Sequence, residues 1–598
     1  MLKTLLQNKF FHIILIVTLG LLAYSGTFNS SFHFDDEPNI VDNPDIKKSL
    51  QILNIRELLH IFSGNRSIGF LSFSVNYRVN GLDVTGYHIV NLSIHILNAI
   101  IVYWLMLLTF KTPYFRQFTV HDLPAGRQGS RFTASIALFS ALLFISHPVQ
   151  TQAVTYIVQR FTSLATFFYL LSLVMYIKWR LIGYRSEVIG HGSEPITYYL
   201  SPITYYLSPI TYYLSPITYY LFSVIFAILA MKTKEIAFTL PAVIAIYESM
   251  FFEGKINKRL LYLIPFFFLM LAILLNLLQT DKPIENLLAH LDEKARSETD
   301  MSRFDYLFTQ FRVIVTYIRL IFFPVNQNFD YDYPVYHSFL NLEVLLSFVS
   351  LLLIFCSGVY FYFRSRFTVH YSLFTLHCLR LASFGIFWFF VTLSVESGII
   401  PIADVINEHR GYLPSAGIFI SLSAFIFAVY LRFKDRFTPS HKMIFKVLPL
   451  LIIILLSNAT YARNKVWKNE VSLWSDVVMK SPGKARGFYN LGSAYHDEKK
   501  FDKAIENYTM AISLNPKYVK AYTNRGNAYD EKGQPDKAVE DYLKALSIDP
   551  HHTDAYFNLG VTYFRKGIFD NAIENFQKAC SMGDERGCRA LKDTSVTR

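Results

Sequence analysis

Apolar segments of about 20 residues recur between residues 10 and 461 of this chain. Each is long enough to cross a bilayer as an α-helix, which rises about 1.5 Å per residue. Of the 598 residues, 52% are apolar and only 17% are charged, a composition too apolar for a soluble protein of this length. The pattern therefore predicts an all-α polytopic membrane domain.

Eleven segments are predicted to span the membrane. They are 10–27, 88–109, 132–147, 161–179, 212–231, 236–252, 259–279, 339–363, 381–398, 411–431 and 443–461. The first has no convincing small-residue cleavage site, which favours a retained helix over a cleaved signal. Residues 304–323 are equally apolar but contain Arg312 and Arg319, and charges inside a bilayer are costly. We expect that segment to lie as a helix in the outer interface.

The basic residues predict the orientation. The formal net charge is +12, and lysines and arginines cluster between alternate apolar segments, as they do in cytoplasmic loops. This places the N-terminus in the cytoplasm and, after an odd number of spans, the C-terminal region outside. The same clustering is typical of a membrane protein rather than of a nucleic-acid-binding protein.

Two stretches resemble insertions. Residues 195–221 repeat Pro-Ile-Thr-Tyr-Tyr-Leu-Ser almost unchanged, which indicates tandem duplication, and 121–130 form a polar stretch in a cytoplasmic loop. Loops accept added length at low entropic cost. The character of these insertions favours a bacterial inner membrane, in which case the C-terminal domain is periplasmic.

The C-terminal part has a period of 34 residues. Small residues and prolines recur with it: Gly492, Gly526 and Gly560; Ala504, Ala538 and Ala572; Pro482, Pro516 and Pro550. This period predicts tetratricopeptide repeats with a C-terminal cap over 486–598, after a linker and partial repeat at 463–485. The membrane domain then covers 1–462. Such α-solenoids present concave surfaces that bind extended peptides, and a plain oligomerisation scaffold is the alternative.

The four cysteines, Cys356, Cys378, Cys580 and Cys588, lack metal-ligand spacing. No zinc motif, phosphate-cradling glycine loop or nucleophile elbow is present in the sequence. We therefore expect neither a metal ion nor a cofactor. Cys580 and Cys588 either pair in an oxidising compartment or remain buried thiols.

Three consecutive carboxylates, Asp35, Asp36 and Glu37, follow the first predicted span in the outer loop 28–86. Two like charges about 4 Å apart repel by ~4 kcal/mol at an effective dielectric near 20, so at least one pKa should rise. A carboxylate tuned upward beside a bilayer is a candidate general base. The alternative is a solvated acidic turn that begins at Pro38.

Further charged residues fall at the outer ends of predicted spans, on the same side as the acids. They are His147, Arg160, Lys234, Glu235, Glu408, His409 and Arg410, with Arg66 and His88 as weaker candidates for lining a cavity. Each one alone fits a side chain that snorkels to the interface, and His88 also fits an interhelical hydrogen bond. Together, bases that hold a lipid-linked phosphate and an acid that deprotonates a hydroxyl predict a glycosyl or phosphoryl transfer site.

Several motifs resemble one family. They are Phe34-Asp35-Asp36, Tyr87-His88-Ile89-Val90-Asn91, the stretch from His147 to Val154, Lys234-Glu235, the stretch from Glu408 to Ser415, and the repeats. The chain is similar over nearly its whole length to the transmembrane and tetratricopeptide repeat-containing O-mannosyltransferases and their bacterial relatives, in the C-type glycosyltransferase superfamily. The resemblance implies a polyprenyl-phosphate donor carrying mannose or another hexose, and a protein Ser or Thr acceptor bound by the repeats.

The resemblance also implies roles for individual residues. Asp35 matches the presumed base, and Asp36 orients it or shares its proton. Donor-phosphate contacts are expected from Arg160, Lys234 and Arg410. The cavity is expected to be lined by His147, Glu235, Glu408 and His409. Gln152 departs from the pattern, because relatives often carry an acid there. Transfer to a lipid or polysaccharide, and a non-enzymatic membrane scaffold, stay open as alternatives.

Overall fold

The computed structural model describes residues 8–48, 64, 66–116, 127–189, 216–278, 301–367, 373–398, 400–433 and 436–596. All regular secondary structure among those residues is helical, which confirms the predicted class. The chain divides into two compact units. We call Met1–Gln327 with Tyr333–Lys465 the membrane unit, and Asn328–Asp332 with Val466–Arg598 the repeat unit.

The described α-helices of the membrane unit follow one another along the chain. They are α1 Lys9–Ala23, α2 Pro44–Lys48, α3 Ser67–Asn80, α4 Val84–Thr109, α5 Pro113–Arg116, α6 Arg127–Ser146, α7 Thr151–Thr155, α8 Arg160–Ile189, α9 Pro216–Met231, α10 Leu240–Phe251, α11 Ile256–Leu278, α12 Arg303–Phe322, α13 Leu342–Phe367, α14 Leu373–Leu393, α15 Tyr412–Phe433 and α16 Pro439–Asn464.

Each of the eleven predicted spans coincides with one of these helices. Within the described residues, six helical segments are long and apolar enough to cross a bilayer, and a seventh counts if the bent pair Phe132–Ser146 and Pro148–Thr155 forms one span. Three apolar helices are shorter, namely Lys9–Ala23, Pro216–Met231 and His377–Leu393. The number of crossings therefore stays a prediction. Of the insert-like stretches, 121–126 and 195–215 lie outside the described residues.

The bent pair contains a buried break in the helical structure of the membrane unit. Pro148 lacks a backbone N–H and restricts His147 to extended geometry, so α6 ends at Ser146 and the chain turns by 53°. Short helical turns then run from Pro148 to Gln159 before α8 begins. Residues 147–158 are all buried. We call residues 147–159 the bend segment.

The long helix α4 packs polar side chains against this segment. Asn91 donates to the carbonyls of Val154 and Ile157, at 3.1 and 3.3 Å. One and two turns further along the same face, His95 contacts the Tyr412 hydroxyl at 2.7 Å and Asn98 donates to it at 3.1 Å. Helical spacing thus turns one face of α4 into a row of interhelical hydrogen bonds.

The repeat unit consists of paired helices with a final cap. They are α17 Glu470–Lys480, α18 Ala485–Asp497, α19 Phe501–Leu514, α20 Val519–Glu531, α21 Pro535–Ile548, α22 Thr553–Arg565, α23 Phe569–Ser581 and α24 Glu585–Val596. Cys580 and Cys588 form a disulfide between the last two.

The glycine period has a packing cause. A Cβ on Gly492 would lie 2.7 Å from the ring of Tyr508, and one on Gly526 would lie 2.6 Å from the ring of Tyr542. Each ring packs directly on the backbone of the partner helix, so a larger residue would force the pair apart. The 34-residue spacing of these glycines therefore reports the closest approach within each helix pair.

Residues 328–332 complete the start of the repeat unit, which the sequence did not predict. Phe329 packs against Trp467 and Trp474, with ring centroids 5.4 Å apart in both pairs. Asp330 is buried and accepts from the guanidinium of Arg486 at 2.7 Å and from the ammonium of Lys484. Burial alone would raise the pKa of Asp330, but these two cations hold it below its ordinary value.

Asp330→Asn should therefore destabilise the start of the repeat unit by about 2 kcal/mol, because it removes the buried counter-charge of the half-buried Lys484 and Arg486. Hydrogen exchange across 466–598 in the full chain measures this as faster exchange in α17 and α18. The exposed neighbour Asp332→Asn is the matched control. Equal protection in both variants would contradict a stabilising role for Asp330.

Candidate active site

Asp36 anchors the acidic loop to the bend segment. Its side chain is fully buried, and its two oxygens accept the backbone N–H groups of His33 at 2.9 Å and Val158 at 2.6 Å. Val158 lies in the short turn just before α8. Free N–H groups at the start of a helix favour an anion, so the sequence places an acid where backbone donors are available.

Asp35 is held differently from its neighbour. Its backbone N–H donates to the Tyr156 hydroxyl at 2.9 Å, and the residue is only half-buried. Phe34, just before it, has a φ of 41°, a left-handed conformation that costs a non-glycine residue about 1–3 kcal/mol. The left-handed turn at Phe34 is thus followed by the half-buried Asp35 and then by the buried Asp36, whose oxygens accept from backbone N–H groups.

Burial raises the pKa of Asp36 to about 7. The N–H groups of His33 and Val158 oppose this rise, and the charge of Asp35 adds to it. An elevated acid pKa was predicted from repulsion between neighbouring carboxylates. Here the largest cause is instead the loss of water around Asp36.

The bend segment also holds the turn at Glu408–Gly411. The backbone N–H of His409 donates to Gln152 Oε1 at 2.7 Å, and Gln150 donates to Ser415 Oγ at 2.9 Å. Gln152 and Tyr156 are four residues apart in the bend segment, so one short stretch of chain positions both the acidic loop and this turn.

A second group of charges lies beside the first turn of α8. Lys234 is buried, and its ammonium pairs with Glu396 at 2.8 Å and donates to Thr162 Oγ1 at 2.9 Å. Arg66 makes two parallel contacts of 3.1 Å with the carboxylate of Glu235. We call Arg66, Lys234, Glu235, Glu396, His409 and Arg410 the charged cluster.

Electrostatics connects the members of the charged cluster. Burial lowers the pKa of Lys234, while Glu396 opposes that change. Burial alone would raise the pKa of Glu235, but Arg66 lowers it below its ordinary value. His409 lies within electrostatic reach of Lys234, Arg410 and Arg66.

Two buried polar atoms of the charged cluster lack a hydrogen-bond partner among the described residues. They are Glu396 Oε2 and His409 Nδ1. Buried polar atoms are normally paired, and exceptions concentrate where a ligand or water completes the set. The cluster therefore has unused capacity for hydrogen bonding.

Arg410 joins the cluster through Tyr306. Its guanidinium donates to the carbonyls of Asp404 at 2.7 Å and Val405 at 3.2 Å, and it reaches the Tyr306 hydroxyl at 3.5 Å. Tyr306 in turn donates to the carbonyl of Glu396 at 2.9 Å. These contacts fix the loop that carries Arg410 against α12.

Arg160 is enclosed by protein acceptors. It is fully buried and donates to Asn91 Oδ1 at 2.6 Å, Asn76 Oδ1 at 2.8 Å and the Tyr87 carbonyl at 3.1 Å. The ring of Phe73 lies 4.5 Å from its guanidinium carbon. These contacts indicate a structural role for Arg160, so the proposed donor contacts do not include it.

Three other predicted site residues also bond to protein groups. His147 contacts the Ile321 carbonyl at 2.8 Å, His88 contacts the Ser30 carbonyl at 3.0 Å, and Glu408 accepts from Gln327 at 2.8 Å. The structure thus brings Arg66, Lys234, Glu235, His409 and Arg410 together in the charged cluster. The roles predicted for all of these side chains remain predictions.

Glu396 was missed from the sequence. It lies inside the predicted span 381–398, and an acid within a span is itself a signal of a functional or paired group. The structure ends α14 at Leu393, so Glu396 follows the helix and meets Lys234.

Tetratricopeptide family models match 492–533, 519–552 and 541–574. The protein O-mannosyl-transferase F38B6.6 of Caenorhabditis elegans is 26% identical over 523 residues, which cover 84% of this chain and 63% of that protein. Mouse protein O-mannosyl-transferase TMTC3 is 22% identical and is matched over 84% of this chain and 51% of its own length. The chain is thus similar over most of its length to two protein O-mannosyl-transferases.

Other relatives match over shorter stretches. Human protein O-mannosyl-transferase TMTC2 is 31% identical over 169 residues, which cover 27% of this chain and 18% of that protein. Among solved structures, the Sgt2 tetratricopeptide domain of Aspergillus fumigatus is 30% identical and covers 19% of this chain and 78% of its own, with a TM-score of 0.19. The chain spans 63% of the length of the Caenorhabditis elegans relative and 51% of that of mouse TMTC3.

The buried Asp36 predicts a pH-dependent stability. Its folded-state pKa of about 7 exceeds its ordinary value of 3.8, so the folded state holds the proton more tightly. That contribution to stability is complete below about pH 4 and is lost, by up to about 1.4 kcal/mol per pH unit, as the pH rises through about 7.

Melting temperatures of the purified wild type and Asp36→Asn, measured across this range, should therefore converge or cross as the pH rises, with the wild type losing more. Asp45→Asn, an exposed acid in the same loop, should keep the wild-type pH slope. Parallel curves for the wild type and Asp36→Asn would show that burial of Asp36 does not govern this titration.

Proposed function

We propose that this chain is a membrane glycosyltransferase that moves a hexose from a polyprenyl phosphate to a Ser or Thr hydroxyl of a protein. The main supporting observation is that one stretch of chain, the bend segment with the adjoining first turn of α8, contacts both Asp35 and Asp36, which we call the acid pair, and the charged cluster. The named relatives, which are protein O-mannosyl-transferases, support mannose as the sugar.

The charge balance of the cluster supports a phosphodiester donor. Arg66, Lys234 and Arg410 are cations, while Glu235 and Glu396 are anions. With His409 neutral, one positive charge is left over. A sugar joined to a polyprenyl phosphate carries a single negative charge, so it would neutralise the group without an excess of either sign.

In the proposed step, Asp35 acts as the general base. Its carboxylate takes the proton from the acceptor hydroxyl while that oxygen attacks the anomeric carbon of the sugar. The bond between this carbon and the phosphate oxygen breaks, and polyprenyl phosphate leaves with the electron pair. Attack from the face opposite the leaving group inverts the anomeric configuration. The ammonium of Lys234 stabilises the negative charge that develops on the leaving phosphate. The step as proposed uses no metal ion.

Asp36 is proposed to position Asp35. Both oxygens of Asp36 already accept backbone N–H groups, so its use as a base would weaken two charge-assisted hydrogen bonds worth about 1.5–3 kcal/mol each. Asp35 is only half-buried, so a substrate hydroxyl can approach it.

Tetratricopeptide repeats indicate protein binding, and we propose that they bind the acceptor protein outside the cytoplasm. The Cys580–Cys588 disulfide supports that location, because disulfides persist in oxidising compartments. In a bacterium this would be the periplasmic side of the inner membrane, with the N-terminus in the cytoplasm.

Asp35→Asn should lower the transfer rate at least about 100-fold, since a positioned general base contributes 10²–10⁴. The assay incubates the purified chain with a labelled polyprenyl-phosphate sugar and envelope proteins, then separates protein products from lipid products. Asp42→Asn, an exposed acid in the same loop, should keep full activity. Full activity of Asp35→Asn would contradict the proposal that Asp35 is the general base. Label found only in lipid products would contradict the proposal that the acceptor is a protein.

Lys234→Met should reduce kcat/KM for the donor about 10–100-fold, because a charge-assisted contact to phosphate is worth about 1.5–3 kcal/mol. Its neighbour Lys232→Met, in the same link between α9 and α10, provides the matched control. Steady-state kinetics with varied donor measure the effect. An unchanged kcat/KM for Lys234→Met would contradict phosphate binding by the cluster.

A further inference from the structure

Arg380 is a buried cation without a counter-charge among the described residues. It is only 5% exposed, no acid in that part of the chain pairs with it, and its Nε has no hydrogen-bond partner there. The Tyr114 hydroxyl lies within hydrogen-bonding reach of the guanidinium, but this group is neutral. Buried charges are normally satisfied by acids or by several acceptors, as Arg160 and Arg410 are in this chain.

Two tyrosine rings hold this guanidinium. Its carbon lies 4.1 Å from the centre of the Tyr114 ring and 5.0 Å from the centre of the Tyr362 ring. Tyr114 is itself fixed, because its ring packs edge-on against His377 at 5.1 Å and its hydroxyl donates to the Ser365 carbonyl at 3.5 Å. Aromatic faces attract a cation but do not neutralise it. The rings therefore orient a buried charge whose N–H groups can still bind an anion.

A second arginine contacts the same tyrosine. The guanidinium carbon of Arg366 lies 5.8 Å from the centre of the Tyr362 ring, and Arg366 is exposed. Tyr362 thus connects a buried cation with one at the surface. Two like charges on one ring repel each other, and an anion shared between them would remove that repulsion.

These residues lie at the end of the membrane unit opposite the candidate active site. Arg380 is in the first half of α14, whereas Glu396 of the charged cluster follows the other end of that helix. From Arg380 to Leu393 the helix rises about 20 Å. Since the predicted span 381–398 begins beside Arg380, this end corresponds to a predicted boundary of the bilayer, where lipid phosphates lie.

Exposed side chains on α13 favour a lipid over a soluble anion. Tyr360 and Phe363 lie on either side of Tyr362 in the sequence, and they are 56% and 50% exposed. Large aromatic side chains at a membrane boundary contact lipid. A phosphate that carries acyl chains would contact both the arginines and this surface, whereas inorganic phosphate would contact only the arginines.

We propose that Tyr114, Tyr362, Arg366 and Arg380 bind the phosphate of an anionic membrane lipid, in the leaflet opposite the candidate active site. Arg380 supplies donors from the buried side, and Arg366 supplies charge at the surface. The lipid provides the counter-charge that Arg380 lacks among the described residues, so its binding stabilises the packing of α5, α13 and α14. This inference goes beyond the proposed function and does not depend on sugar transfer.

The test uses the full chain in a non-ionic detergent, titrated with phosphatidylglycerol and, for comparison, with zwitterionic phosphatidylcholine. Native mass spectrometry counts the bound lipids and gives the apparent Kd of the first one. Arg380→Met removes the buried charge and keeps an apolar side chain against the tyrosine rings. Arg432→Met removes an exposed cation at the end of α15, on the same predicted side of the membrane, and is the matched control.

Arg380→Met should raise the Kd for phosphatidylglycerol at least about tenfold, because a charge-assisted contact to phosphate is lost. Arg366→Met should raise it about fivefold, and Arg432→Met should leave it within about twofold of the wild type. An unchanged Kd in Arg380→Met, or an equal loss in Arg432→Met, would overturn the proposal. Because Arg366 is exposed, Arg366→Met decides the test where Arg380→Met fails to fold, and an unchanged Kd there would overturn it too.

Melting temperatures separate a lipid site from simple packing and from a site for free phosphate. Phosphatidylglycerol should raise the melting temperature of the wild type and of Arg432→Met, but should have little effect on Arg380→Met, because only a protein that binds the lipid is stabilised by it. Equal rises in all three would mean that Arg380 acts only in packing. Inorganic phosphate at constant ionic strength should leave the wild type unchanged, and a rise equal to that with phosphatidylglycerol would overturn the assignment to a lipid.

Discussion

The architecture of the site depends on one buried carboxylate and the backbone that receives it. Asp36 loses its water entirely, and it remains in place because the N–H groups of His33 and Val158 point at its two oxygens. A buried charge without such donors would cost several kcal/mol. The anchor fixes the acidic loop against the start of α8, and it sets where Asp35 can lie. Removing it would release the loop and leave Val158 with an unsatisfied donor.

Charge pairing elsewhere follows the same constraint. Three cations of the membrane unit are matched by acids or by carbonyls: the buried Lys234 by Glu396, the half-buried Arg180 by Glu248 at 2.7 Å, and the buried Arg410 by the carbonyls of Asp404 and Val405. The difference lies in what is left over. Arg180 and Glu248 satisfy each other through two-pronged contacts, whereas the charged cluster keeps Glu396 Oε2 and His409 Nδ1 unpaired. Incomplete pairing leaves the charged cluster able to bond a ligand, whereas Arg180 and Glu248 form a self-satisfied ion pair.

The sequence predicted the helices well because apolar segments and a 34-residue period are local patterns. It also singled out Arg66, Lys234, Glu235, His409 and Arg410, which the structure places in one charged cluster, while their roles stay predictions. It did not separate their tasks. In the sequence, Arg160 and Lys234 are both cations next to predicted spans and cannot be told apart. Only the three-dimensional fold shows that Asn91 and Asn76 accept hydrogen bonds from Arg160 and enclose it. The insertion of residues 328–332 into the repeat unit depends on contacts more than a hundred residues apart, which no periodicity reports.

The broken helix at Pro148 explains how a mostly apolar chain can support polar chemistry. A continuous helix bonds its own backbone and offers no donors to a neighbour, so irregular backbone is tolerated in such proteins only where other groups satisfy it. Here the break frees the Val158 N–H for Asp36 and the Val154 and Ile157 carbonyls for Asn91. It also lets Gln152 reach the backbone of His409. A straight helix through residues 147–159 would withdraw these backbone groups, and the acid pair and the turn at His409 would lose their common support.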